Sequence, residues 1–296
     1  MPSWTCRDDG RMTQRTIIIT GGSDGIGAQA ARQIAGKGHR IILVGRSRTK
    51  GAAVAEELGC EFIGADYARL ADVRKLAADI RSRTGRIDVL ANNAGAILGE
   101  RALTEDGHEK TFQVNVLAPF LLTTLVLDLL RQGDGVVVNT SSASARLVGQ
   151  IDLKDLQHEH GYSPLRAYGD AKLANILLAR GLDARYAGQG ISAVAFDPGN
   201  IRTNFASETN SAVSRVMYRT PLARIVLTSS REGGRRLAYF VEGQPGRDWE
   251  PGGFYSHTKP AGRRRTNPQV DDAGLVDALW RRCEELSARP GSSPSS

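Results

Sequence analysis

Along most of the chain, short unbroken apolar runs alternate with stretches whose apolar positions recur at helical spacing. Thr-Ile-Ile-Ile-Thr at 16–20 is β-branched throughout and reads as a buried strand. Similar runs at 40–44, 61–65, 87–91, 136–142 and 191–196 predict further strands. Between them, helices are predicted over 28–37, 49–58, 70–83, 105–130 and 167–186, with a last amphipathic helix over 271–286. Strand and helix taking turns in this way specify an α/β fold: a single doubly wound parallel sheet with helices on both faces and right-handed crossovers. No repeat or internal linker interrupts the pattern, so residues 15–288 are expected to form one domain. Residues 1–14 are expected to be a disordered leader, with Met12 an alternative start, and the Gly/Pro/Ser-rich 289–296 a disordered tail.

Composition narrows the function classes. The chain is 41% apolar and 24% charged, an ordinary balance for a soluble globular protein. Its longest apolar tract, 116–130, is broken by Pro119, Thr123, Thr124 and Asp128, so no membrane span is predicted. The polar N-terminal stretch lacks a signal-peptide core, and the cytoplasm is the expected compartment. Cys6, Cys60 and Cys283 are too few and too scattered for a disulfide framework or a zinc site. A net charge of +7 raises the question of nucleic acid. The basic residues are spread along the chain, apart from Arg263-Arg264-Arg265, and no recognition motif accompanies them. No nucleic-acid partner is expected; a polyanionic cofactor accounts for the charge more simply.

The first strand runs directly into Gly21-Gly22-Ser23-Asp24-Gly25-Ile26-Gly27, and then into a helix. Gly21 allows the tight turn, Gly25 lets backbone approach a pyrophosphate, and Gly27 lets helix pack on strand. The helix N-terminus offers its free N–H groups to phosphate. This is the arrangement of a Rossmann dinucleotide site, in which Ser23, Asp24 and Ile26 complete the turn. The second strand ends in Gly45-Arg46-Ser47-Arg48. An acidic residue here would hold the adenosine ribose and select NAD. Arg46, Ser47 and Arg48 suit a 2′-phosphate instead, so NADP(H) is the expected cofactor; the competing reading is a pair of exposed arginines opening the next helix. Asp66, followed by Tyr67, suits the adenine amino group or, equally, the N-cap of the 70–83 helix. Asn93, Ala94 and Gly95 follow the fourth strand, where small residues let backbone pass close to a cofactor. Thr140, Ser141 and Ser142 end the fifth, and strand C-terminal ends are where open parallel sheets bind ligands. Asn115 lies amid Val114, Val116 and Leu117. It must be hydrogen-bonded there, either tying backbone or ordering a water.

Tyr168 and Lys172 are four residues apart in a helical run, so phenol and ammonium share one face. A nearby cation favours the phenolate and turns tyrosine, an otherwise poor base, into a usable general acid/base. Alone, the spacing equally describes a surface pair.

Taken together, Thr20-Gly21-x-x-x-Gly25-Ile26-Gly27, Asn92-Asn93-Ala94-Gly95, Asn115, Ser142, Tyr168-x-x-x-Lys172 and Pro198-Gly199 resemble the short-chain dehydrogenase/reductase family in order and spacing. The likeness covers 16–203 and weakens towards 286. Residues 168–175, ending Lys-Leu-Ala-Asn, and the long interval from Ser142 to Tyr168 resemble its retinol-dehydrogenase-like branch most. The resemblance implies that Tyr168 exchanges a proton with the substrate oxygen while Lys172 lowers its pKa and holds the nicotinamide ribose. It further implies that Ser142 hydrogen-bonds the substrate oxygen, with Ser141 as the neighbouring alternative. Asn115 would hold a relay water, and Pro198, Gly199, Ile201 and Thr203 would line the nicotinamide. The hydrophobic anchor of the branch's membrane-bound members is absent from this sequence, and no cysteine lies near these motifs.

Two segments are expected to shape the substrate site. One is 143–166, carrying His158 and His160, whose spacing fits no metal site. The other, 200–230, is apolar enough for a lid or for a helix that closes the core. The expected activity is NADP(H)-dependent reduction of a bulky, largely apolar ketone or aldehyde, or oxidation of the matching alcohol, in a secondary-metabolic or lipid-like setting. The alternatives are a nucleotide-binding regulatory or redox-sensing protein without turnover, and a sugar-nucleotide epimerase or dehydratase. Relatives pair through the helices at 105–130 and 167–186. The insertion before the second helix favours a monomer over a dimer or tetramer.

Overall fold

The computed structural model of the protein describes residues 14–199, 201–202 and 228–288. Seven strands run parallel: β1 (Thr16–Thr20), β2 (Arg40–Gly45), β3 (Glu61–Gly64), β4 (Val89–Asn92), β5 (Val136–Thr140), β6 (Ser192–Asp197) and β9 (Phe254–Ser256). The antiparallel β10 (Lys259–Pro260) completes an eight-stranded sheet of order β10-β9-β6-β5-β4-β1-β2-β3. A short parallel pair, β7 (Ile201–Arg202) and β8 (Thr228–Ser229), lies outside it. The chain reverses direction across the sheet between β1 and β4, which opens a crevice at the strand C-termini.

Helices cover both faces, which is why the strands read as unbroken apolar runs. Ile18 and Ile42 face a layer made of α3 (Leu70–Arg83), α5 (Ala118–Leu125), α8 (Pro164–Tyr186) and α10 (Ala273–Ala288). Their strand neighbours Ile17, Ile19 and Leu43 face α1 (Gly25–Ile34) and α9 (Ser230–Glu242). Gly234 of α9 makes the second layer possible: a Cβ there would lie 2.5 Å from Gln29 Cβ and 2.8 Å from Ala30 N of α1. No helix of the described residues is long and apolar enough to cross a membrane.

The expected 105–130 helix is broken. Residues 105–109 turn instead, with Gly107 at φ +80°. Helix begins at α4 (Lys110–Phe112), passes through a π-helical turn at Gln113–Leu117, and continues as α5 and α6 (Leu127–Gln132). Pro119 has no N–H to donate to the carbonyl of Asn115, four residues back, and the ladder shifts there. The stretch 243–268, for which the sequence predicts no element, supplies β9 and β10. The fifth strand ends at Thr140, short of the serines. Residues 1–13, 289–296 and most of the expected lid lie outside the described residues.

Candidate active site

The glycine turn is built as its sequence requires. Gly21 has φ +68°, and a Cβ on it would lie 2.9 Å from Asn93 Nδ2. A Cβ on Gly27 would collide with the Gly21 carbonyl, so α1 can pack this closely on β1 only through glycine. Gly25, at φ +56°, opens α1. The Ile26 side chain is buried in the core, so it can offer only backbone to a ligand. Asp24 caps the helix, accepting from Gly25 N at 2.7 Å, and pairs with Lys50 at 2.9 Å. That hydrogen bond to Lys50, with the one from Gly25, holds the Asp24 carboxyl below its ordinary pKa.

A cavity of about 190 Å³ lies beside this turn. Gly21 and Ser23 line it from β1, Arg46 from the end of β2, Asp66 and Tyr67 from beyond β3, and Ala94 and Gly95 from beyond β4. Most of these are positions predicted to bind the cofactor, and the glycine cradle, the basic rim and the adjoining apolar walls fit its adenosine half. Other predicted contacts are engaged elsewhere. Ser47 caps α2 (Arg48–Leu58), accepting from Lys50 N at 3.4 Å. Arg48 lies against Gly64, where a Cβ would meet its guanidinium carbon at 3.0 Å. Asp66 does not cap α3: its Oδ1 accepts from Ala68 N at 2.9 Å, while Asp106 Oδ2 takes the N–H of Leu70 at 2.8 Å. Burial raises the pKa of the Tyr67 phenol, which stays protonated.

Asn93 and Thr140 cross-brace the strand ends. Asn93 donates to Thr20 O at 2.9 Å, and Thr140 Oγ1 donates to Asn93 Oδ1 at 3.4 Å. At the far end of the crevice, α8 presents Tyr168, 7% exposed, and Lys172, 1% exposed. The Lys172 ammonium lies 5.4 Å from the centre of the Tyr168 ring and donates to Thr140 O at 3.2 Å. Burial lowers its pKa from 10.5 to about 8. The two serines separate cleanly. Ser141, buried, donates to the Lys172 carbonyl at 2.7 Å and so anchors the helix. Ser142, half-buried, accepts from Ser144 N at 3.3 Å and keeps its own proton to donate.

Asn115 ties backbone. Its amide donates to Ala96 O at 3.0 Å and Thr111 O at 2.9 Å, and its Oδ1 accepts from Ala96 N at 3.1 Å. Both of its amide protons are therefore committed to backbone. It still lies beside the ammonium: a Cβ on Gly95 would sit 2.5 Å from Asn115 Oδ1 and 3.0 Å from Lys172 Nζ. Gly199, at φ +85°, donates its N–H to Asp197 Oδ1 at 2.8 Å, and Arg236 of α9 holds the Pro198 carbonyl at 2.5 Å. The side chain of Ile201 and all of Thr203 lie outside what is described.

Sequence reasoning missed a buried amide chain behind Lys172. Asn92 Nδ2 donates to Asn139 Oδ1 at 3.1 Å, Asn139 Nδ2 to Asn175 O at 3.1 Å, and Asn175 Nδ2 to Thr140 O at 3.4 Å. The chain ends on the carbonyl that receives the Lys172 ammonium. A signal was present, since Asn139 and Asn175 interrupt strongly apolar stretches as Asn115 does. No metal-binding cluster occurs among the described residues.

Residues 15–214 match the family model described as short chain dehydrogenase. The chain is 37% identical over 282 residues to a protein of Streptomyces sp. (strain C5) assigned by name as a daunorubicin C-13 ketoreductase, DnrU, with 92% of each chain covered. It is 30% identical over 285 residues to human (Homo sapiens) retinol dehydrogenase 13, covering 93% of this chain and 85% of that one. Among solved structures, the NADP active-site complex of RhlG from Pseudomonas aeruginosa superposes with a TM-score of 0.63 at 25% identity, covering 82% of this chain and 94% of that one. With the glycine turn, the Tyr168–Lys172 pair and the doubly wound sheet in place, the chain belongs to the short-chain dehydrogenase/reductase family of oxidoreductases, near its retinol-dehydrogenase-like branch.

Proposed function

We propose that the protein is a cytoplasmic, NADP(H)-dependent reductase of a bulky, largely apolar ketone or aldehyde, able to oxidise the matching alcohol. The observation that carries the cofactor half is Arg46 on the rim of the adenosine cavity, where an NAD-selecting site would place an acid. A guanidinium there can grip a 2′-phosphate. The carbonyl half rests on Tyr168, Lys172 and Ser142 gathering at the other end of the crevice. A bound nicotinamide would supply the hydride, leaving placement and proton management to the protein.

In reduction, Ser142 donates a hydrogen bond to the substrate oxygen as negative charge develops, and the Tyr168 phenol delivers the proton. The Lys172 ammonium supports the phenolate that remains and would hold the ribose hydroxyls of a bound cofactor. The Thr140 carbonyl holds that ammonium in place. Two of the similar proteins carry names, daunorubicin C-13 ketoreductase and retinol dehydrogenase, that point to a bulky ketone or alcohol, which supports this class. We propose a monomer as well. Residues 143–162 and α10 pack on the outer face of α8, through Gly149 against Gly169 and Trp280 against Gly181. The deciding experiment is titration with NADPH and NADH, followed by turnover of daunorubicin and retinol. Tight NADPH binding without turnover of any carbonyl or alcohol would favour a regulatory nucleotide-binding protein instead.

A further inference from the structure

His158 has no part in the chemistry above, yet it is placed at a cost. Its φ is +48°, and of the three described non-glycine residues at positive φ it alone is buried. A left-handed histidine is strained by about 1–2 kcal/mol, whereas glycine adopts that conformation freely and asparagine with little penalty. Strain of this kind persists only where the surroundings compel it.

The surroundings are a buried contact between imidazole and carboxylate. His158 Nε2 lies 3.2 Å from Asp170 Oδ2, with side-chain exposures of 8% and 12%. The other oxygen of the same carboxylate accepts from Gln150 N at 2.6 Å. Arg166 Nε is 4.0 Å away and half exposed, a weaker partner. Asp170 stands on α8 midway between Tyr168 and Lys172, so one carboxylate fastens two points of the 150–158 stretch to the helix that carries both. The stretch then reaches the loop after β4. Arg101 Nε donates to Gln157 O at 3.2 Å, and Tyr162 OH donates to Gly99 O at 3.2 Å. It thereby joins the loop after β4 to the helix that carries Tyr168 and Lys172.

We propose that His158 and Asp170 are positioning residues, forming a strap that fixes the 150–162 loop and the first turns of α8 relative to the reacting groups. The functional half of this inference rests on the proposed carbonyl chemistry; the structural half does not. A buried charge-assisted contact released at one partner should matter to both.

The test uses the full chain and the variants His158→Asn, Asp170→Asn, the double variant and His158→Gln. Asparagine relieves the backbone strain but falls short of Asp170. Glutamine keeps a donor where Nε2 stands. Hydrogen exchange of peptides spanning 150–171 is measured without substrate, beside KM and kcat for whichever carbonyl in the panel turns over. The expected result is exchange about 10-fold faster or more in His158→Asn and Asp170→Asn, as for loss of a charge-assisted bond. The double variant should be no worse than either single one, and His158→Gln should stay near wild type. KM should rise several-fold, roughly the loss of a positioning contact, with a smaller effect on kcat. Unchanged or slower exchange in His158→Asn would overturn the strap, because strain relief would then be all that the substitution does. Unchanged KM beside faster exchange would overturn its role in the reaction. Failure of the wild-type protein to bind NADPH would sink the cofactor reading and leave the exchange comparison intact.

Discussion

Replacing Lys172 with methionine should make the protein more stable while ending its activity. The ammonium is 1% exposed, and burial lowers its pKa from 10.5 to about 8. At about 1.36 kcal/mol per pH unit, that interval means that keeping the charge costs the folded state roughly 3 kcal/mol at neutral pH. The folded-state value lies below the unfolded one, so between about 8 and 10.5 the unfolded chain binds more protons. Wild-type stability should therefore rise with pH across that window. Below it the whole penalty is present; above it lysine is neutral in both states and the penalty is gone. Methionine fills a similar volume without charge. Losing the bond to Thr140 O offsets about 1 kcal/mol, and that carbonyl keeps its bond from Asn175. The net gain should be about 2 kcal/mol at pH 7, or several degrees in Tm at roughly 2–4 °C per kcal/mol. Urea unfolding followed by tryptophan fluorescence, without nucleotide, at pH 7 and again near pH 10 checks this. A variant less stable than wild type at pH 7, or an advantage equally large at both pH values, would refute the reasoning.

Other outcomes follow from the same geometry. Tyr168→Phe should lower kcat by about 10²–10⁴, the range for losing a general acid, while NADPH titration stays as in wild type; retained turnover would remove the phenol from the chemistry. Arg46→Ala should weaken NADPH by roughly 10–100-fold, the worth of a charge-assisted contact, and leave NADH nearly unaffected, which parallel fluorescence titrations would read. Gly27→Ala forces the Gly21 carbonyl to move, so nucleotide binding should be lost and stability should fall by about 1–3 kcal/mol, measured by titration and urea unfolding. Light scattering should find a monomer, and a stable tetramer would show that the outer face of α8 is available after all.

What the letters carried and what they hid divides along sequence distance. The β-branched strands, the glycine turn and the Tyr168–Lys172 face depend on neighbours within one element, so periodicity exposes them. α9 escaped because Gly233-Gly234 weakens any helical pattern, and the reason for Gly234 is the close approach of α1, some 200 residues away in sequence. β9 escaped because three residues, Phe-Tyr-Ser, carry no period; pairing with β6 is what makes them a strand. Only the resemblance favoured Ser142 over Ser141; the residues alone did not, since the choice turns on which hydroxyl meets the Lys172 carbonyl. Asp66 looked able to cap α3; Asp106, 36 residues beyond Leu70, takes the Leu70 N–H instead, because the turn at Gly107 brings it there. The β7–β8 pair shows that residues 201–202 lead out of the sheet, but the apolar segment expected to cover the substrate lies outside the described residues.

The polar groups behind the site follow one rule. Buried amides rarely stabilise a fold over apolar packing of the same shape, and each is costly once a partner is lost. Here Asn92, Asn139 and Asn175 form one directional chain whose orientation is forced. The Asn175 carbonyl can only accept, so Asn139 must present its amide protons to it and its oxygen to Asn92. Asn92 must then donate, and Thr123, whose hydroxyl donates to Pro119 O, receives its second proton. No member can flip without leaving two acceptors face to face. Such a chain fixes the relative height of β4, β5 and α8 more tightly than sliding apolar side chains can. It ends on the carbonyl that holds a cation the fold would be more stable without. In the proposed reaction, the stability lost at Lys172 and the rigidity of the asparagines serve one requirement, an ammonium held still beside a phenol.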